Sequence, residues 1–139
     1  MYKVFGIRKH LLQFAAVCSG LVMCGPVEAH HSVAAYDFNK TVQLKGTVKV
    51  FQWTNPHCWI ELVVSDPQGQ AGKWTLEAGT PNVNKRMGWT GTDIKPGDKV
   101  DVVIHPKRDG TTSGALMTIR LANGKSLTAP GSLFGKAGQ

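Results

Sequence analysis

Residues 41–53 alternate between apolar and polar side chains, with Val42, Leu44, Val48 and Val50 on one face and Gln43, Lys45, Thr47 and Lys49 on the other. A period of two is that of a β-strand with one buried face, and it excludes an amphipathic helix over this stretch. Gly46 interrupts the apolar row, where a glycine marks a bulge or a sharp bend, as when a small barrel curls its first strand. Strand patterns recur at 59–65, 73–78, 99–105 and 115–121, separated by runs of turn formers such as Asp66-Pro67-Gln68-Gly69, Lys95-Pro96-Gly97-Asp98 and Arg108-Asp109-Gly110. One segment departs from this rhythm: Thr80 followed by Pro81 reads as an N-cap with proline at the first helical position, and Gly88 as a stop. A short helix over 81–87, with Val83 and Met87 four apart, is expected to plug one end of the barrel. Three strands, a short helix and two more strands are the order of an OB-like Greek-key barrel, so the expected class is all-β with one short helix in a five-stranded barrel. A small open sandwich is the alternative.

The ends of the chain read differently. Residues 1–29 have a basic start (Lys3, Arg8, Lys9) and an apolar run over 11–23, shorter than the roughly 20 residues a membrane span needs. That is the pattern of a signal peptide cleaved before His30, and the expectation is an exported protein. Cys24 could instead belong to a lipoprotein box, but Met23 stands where such a box needs a small residue, so release is the expectation. Residues 30–40 read as an extended arm, 41–128 as the barrel and 129–139 as a flexible tail. After the leader, 13 Lys and Arg face 8 Asp and Glu in 110 residues, enough for one domain. The basic residues are spread rather than clustered, which argues against a nucleic-acid partner. Only Cys58 lies outside the leader, so no disulfide within the mature chain is possible and the core must rest on packing.

The chemistry-bearing residues crowd at Phe51-Gln52-Trp53-Thr54-Asn55-Pro56-His57-Cys58-Trp59-Ile60-Glu61, where two strand patterns meet. Trp53, Asn55, His57 and Trp59 make this corner the candidate ligand-binding surface, an aromatic platform for a small molecule or a protein. The competing reading is that Phe51, Trp53 and Trp59 close the core, the commoner fate of large aromatics. Cleavage after Ala29 would give His30 a free amine beside its imidazole, and His31 a chelate of amine, backbone amide and imidazole. His57 could complete a nitrogen set suited to Cu(II), with His105 as the runner-up, and copper is the cofactor such a site would call for. Strand direction favours His57: strand four runs antiparallel to strand one, which puts His105 toward the start of strand one. No catalytic residue stands out. Ser32 beside His31 is sequence adjacency rather than a triad. Asp37, Glu61 and Glu77 show no paired spacing, and the two glutamates fit the solvent side of strands. Cys58 reads as a small core residue.

Ala29-His30-His31-Ser32, Asn55-Pro56-His57 with Trp59 two residues on, Gly88-Trp89 and Lys95-Pro96-Gly97-Asp98 together resemble an uncharacterised family of small exported bacterial proteins, classed as a domain of unknown function. The resemblance implies an exported bacterial domain and brings no activity or catalytic residues. Two functions follow from the residues themselves: an exported, non-catalytic binding module built on the corner, or a periplasmic copper carrier or redox protein built on the histidine arm.

Overall fold

In the computed structural model, residues 34–65, 69 and 71–133 are described. The described residues are mostly β, and their strands close into a five-stranded mixed barrel with one short helix between the third and fourth strands. In order these elements are β1 (Val42–Gln52), β2 (Trp59–Ser65), β3 (Ala71–Glu77), α1 (Pro81–Arg86), β4 (Lys99–Pro106), β5 (Ser113–Leu121) and β6 (Ser126–Thr128). The strand order is β3-β2-β1-β4-β5-β6, and a parallel pairing of β3 with β5 closes the ring. Closure matters physically because a closed sheet leaves no unpaired edge along the paired strands. This is the OB-like Greek-key connectivity expected from the order of the elements, with β6 added as a short hairpin partner of β5.

β1 serves two neighbours. Its first half pairs with β4 and its second half with β2, the two ladders overlapping at Gly46 and Thr47. The bend of β1 is built differently from the sequence expectation. Its bulge falls at Lys49, because Val48 pairs with Leu62 while Val50 pairs with Glu61. One extra residue turns every following side chain to the other face, so Val50 shares the face of Glu61 and leaves the inward row. Gly46 answers a separate need: a Cβ there would stand 2.7 Å from the Val63 carbonyl oxygen, a contact only glycine avoids.

Inside the ring, Ile60, Leu62, Leu76, Ile104, Leu116 and Ile119 are fully buried. α1 starts as expected, with Thr80 Oγ1 accepting from the Val83 N–H at 3.2 Å and Pro81 in the first turn. The face it buries is not the expected one, since Pro81 and Asn84 are buried and Val83 and Met87 are only half-buried. Trp89 completes that end of the barrel; its indole is buried and its Nε1 donates to the Thr128 carbonyl at 2.7 Å.

Past the exposed turn at 122–126, the chain returns to the barrel. Leu127 and Ala129 are buried, the Ala129 N–H donates to the Met117 carbonyl at 2.8 Å, and a 3-10 helix at Pro130–Leu133 sets Gly131 too close to the Leu116 carbonyl for any side chain. The arm is fastened too. Tyr36 is buried and forms a bridge with Lys107, the Asp37 N–H donates to Pro106, and the Arg108 N–H donates to Ala35.

Candidate functional site

The corner begins where β1 ends at Gln52 and closes at Cys58, whose backbone returns to regular pairing. The Cys58 N–H donates to the Gly79 carbonyl at 2.6 Å, and the Ala78 N–H donates to the Cys58 carbonyl at 2.9 Å. Between them the Asn55–Pro56 peptide bond is cis, and Thr54 Oγ1 donates to the His57 carbonyl at 3.4 Å. Asn55 is exposed, and Trp53 and Trp59 are both half-buried. Trp53 packs against the core from outside and meets Phe51 edge-on, with ring centroids 5.9 Å apart. Gly91 lies under its indole, where a Cβ would stand 3.3–3.6 Å from Cγ, Cδ1 and Cδ2. Trp59 is paired across the ladder with Glu77 and belongs to the outer face. The two tryptophans therefore divide the readings: Trp53 leans on the core and Trp59 does not.

His57 is held from one side. Its Nδ1 lies 2.7 Å from Glu77 Oε1, and the Tyr36 hydroxyl donates to the other carboxylate oxygen, Oε2, at 2.6 Å. His57 keeps 31% of its side chain exposed, whereas Glu77 keeps 12%. Burial, reinforced by the Glu77 carboxylate, pushes the Tyr36 phenol far above its ordinary value, so it remains a donor. Sequence reading placed Glu77 on the solvent side of its strand. It is on the outer face, but the arm covers it, and one glutamate joins three parts of the chain distant in sequence. The signal that could have pointed to Tyr36 is the pair of aromatics, Tyr36 and Phe38, two residues apart in the arm; they stack edge-to-face at 6.3 Å.

His105 occupies the same outer layer. Along one register row His105 pairs with Ala115, Ala115 with Glu77, and Glu77 with Trp59. The antiparallel β1–β4 pairing does set His105 toward the start of β1, as expected. The parallel closure, which strand direction alone does not reveal, brings it within one strand of Glu77. His105 is 1% exposed, its Nδ1 is 2.7 Å from the Lys40 carbonyl oxygen, and Phe38 meets its ring edge-on at 5.1 Å. Its Nε2 is buried and has no partner among the described residues. His30 and His31 lie outside the described residues. Among those that are described, no group of three His, Cys, Asp or Glu converges as a metal site.

Cys58 is the core residue expected. Burial pushes its thiol up, against the Asn84 amide and the Thr54 backbone, which act the other way. Asp37 joins Lys40 and Arg108 in holding the arm, and Glu61 pairs with Lys73 at 2.7 Å. A groove of about 640 Å³ lies at the far end of β2, lined by Lys45, Thr47, Ser65, Lys99, Asp101 and Arg120 among others. Asp101 bonds Arg120 at 2.6 Å and faces Lys45 at 3.8 Å, one carboxylate against three cations, so the groove carries an excess of positive charge. None of the corner residues lines it.

Comparison with known proteins adds a family. A model described as a family of unknown function, DUF6152, matches residues 19–117, most of the chain. The chain belongs to DUF6152. The family match takes in the corner, Glu77 and both ends of the register row just described. No curated protein sequence matches this DUF6152 chain. Among solved structures it is similar to a crystal structure of the mitochondrial single-stranded DNA binding protein Rim1 from S. cerevisiae (Form2), at 15% sequence identity and a TM-score of 0.47. That alignment covers 60% of this chain and 95% of the other.

Proposed function

We propose that this protein is an exported, non-catalytic binding module that meets its ligand, a small molecule or a protein, at the corner through Trp53, Asn55, His57 and Trp59. The observation that carries this reading is the corner's mixed exposure: Asn55 is open, both indoles are half-buried, and His57 is partly exposed on a fixed support. Apolar surface with a few well-placed polar groups is the usual chemistry of ligand recognition. The support is preformed, so little ordering would oppose binding. Monosaccharides and aromatic carboxylates, titrated while indole fluorescence is followed, test it. Trp59→Ala and His57→Ala should abolish any saturable response and leave the protein folded; a response that persists in both removes the corner as the site.

A second reading, a periplasmic copper carrier or redox protein, is supported by where the arm is fastened. Tyr36 bonds to Glu77, the partner of His57, and the chain from His30 to Tyr36 reaches at most about 20 Å. The His30 amine and imidazole, or the chelate of His31, would then lie within reach of His57 to form a nitrogen set for Cu(II). Intact mass fixes the mature N-terminus. Copper titration of that form, beside His30→Ala, His57→Ala and a form with one extra N-terminal residue, should show weaker binding in all three, and equal affinity in all four would remove the site.

A further inference from the structure

We propose that the groove at the far end of β2 binds a small organic polyphosphate through Lys45, Lys99 and Arg120. These three cations are far apart in sequence, and the strand register gathers them. Lys45 pairs with Asp101 and Asp101 with Arg120, which makes one row across β1, β4 and β5. Lys99 pairs with Thr47 and stands two residues from Asp101, so it faces the same way from the next row. By the usual strand spacings the three Cα atoms lie roughly 8–10 Å from one another.

Asp101 does not use up this charge. The lining holds three cations and one carboxylate, a net charge of +2. Asp101 is held below the usual carboxyl range, chiefly by the Arg120 hydrogen bond with Lys45 adding its charge, so that balance holds at neutral pH. Arg120 gives Asp101 one nitrogen, Nη2, of a guanidinium with five N–H donors. The Lys45 ammonium, at 3.8 Å, is beyond hydrogen-bonding distance of Asp101, and its side chain is 86% exposed. Lys99 is exposed and pairs with no carboxylate among the described residues. Across the strands the excess ends with the groove, because Lys73 is answered by Glu61 and Lys125 by Asp93. A cleft lined by one sign of charge concentrates the opposite sign. A single small anion would meet the Asp101 carboxylate in the middle of the row, whereas a ligand with several phosphates reaches the cations around it. Guanidinium and ammonium both suit phosphate oxygens, and the Thr47 and Ser65 hydroxyls line the groove as further donors. A volume of about 640 Å³ is that of a small-molecule site.

The test is calorimetric titration of the full chain at low salt with inorganic tripolyphosphate, beside orthophosphate, a single-stranded oligonucleotide and phosphatidylglycerol vesicles. Tripolyphosphate should bind more tightly than orthophosphate and should weaken as salt is added. Lys45→Gln and Lys99→Gln should each weaken it about two- to fivefold, as loss of an exposed ion pair does, and Asp101→Asn should tighten it. Lys85→Gln, on the exposed surface of α1, makes the same change in net charge and should leave the affinity as it was. No binding of tripolyphosphate, equal losses in Lys85→Gln and the groove variants, or weaker binding in Asp101→Asn overturns the site. Tighter binding of the oligonucleotide or the vesicles, lost in the same groove variants, overturns the choice of a small ligand. All four substitutions leave the corner intact, so its reading stands or falls separately.

Discussion

Leu76 and Glu77 are neighbours at the end of β3, as Ile104 and His105 are near the end of β4, yet within each pair one side chain faces into the barrel and the other out of it. Leu76, Ile104 and His105 are buried and Glu77 nearly so. The inward members are covered by the opposite wall of the barrel and are held by contact alone, which has no direction. The outward members are covered by the arm and need partners: Tyr36 and His57 for Glu77, and the Lys40 carbonyl for His105. Equal burial therefore rests on two kinds of physics, one tolerant of shape-conserving change and one tied to particular donors.

The largest effect should come from the inner face. Leu76→Ala should cost about 2–5 kcal/mol in denaturant unfolding, while Leu76→Met should cost less than about 1.5 kcal/mol. Similar losses from both would show that the inner face is as particular as the outer. Next, Gly46→Val forces a side chain against the Val63 carbonyl and should lower stability by about 1–3 kcal/mol, measured in the same way. A variant as stable as the parent would mean that β1 and β2 do not approach so closely.

On the outer face, Tyr36→Phe removes one hydroxyl and almost no volume. The loss should be about 1–2 kcal/mol, because Glu77 loses a donor to its charge while His57 remains. Protease cleavage within residues 34–40 should rise with it, and an unchanged cleavage rate would separate the arm from the hydrogen bond.

The smallest effect belongs to a charge outside both layers. Burial acts to raise the Asp93 carboxyl, but the Lys125 ammonium at 2.6 Å and the Thr90 N–H at 2.7 Å outweigh it and hold Asp93 below its usual range. A carboxyl lowered in the folded state stabilises the protein above the ordinary carboxyl range, and that contribution fades as pH falls through the folded value. Asp93→Asn should therefore cost under about 1 kcal/mol at neutral pH, after solvent screening, and should flatten the acid side of the stability profile. Thermal melts across the acid range check it, and a profile parallel to the parent's would deny the linkage.

The inner face could be read from the sequence because its information is local. Leu62, Leu76 and Ile104 each sit in a run whose period names the strand, and the turn formers between runs count the strands. The bulge could not be read: Lys49 looks like any outward lysine, and only the pairing of Val48 and Val50 with successive residues of β2 betrays it. The corner was visible as a crowd of aromatics with a histidine. Its support was not, because Glu77 is an ordinary outward strand residue until Tyr36, 41 positions earlier, folds over it. His105 escaped for a related reason, since its place beside Ala115 and Glu77 depends on which strands close the ring.

That closing seam has a consequence for how the chain comes to be folded. β3 meets β5 only through Thr75, Leu76 and Glu77 against Ser113, Gly114 and Ala115, a parallel contact between segments far apart in sequence. The loop entropy of joining them is spent before the contact gives anything back, so the seam belongs among the slow, late steps of assembly. Until Ser113 has arrived, β3 and β4 carry open hydrogen-bonding edges beside apolar surface. A nascent or truncated chain in that state is exposed to pairing with its own copies.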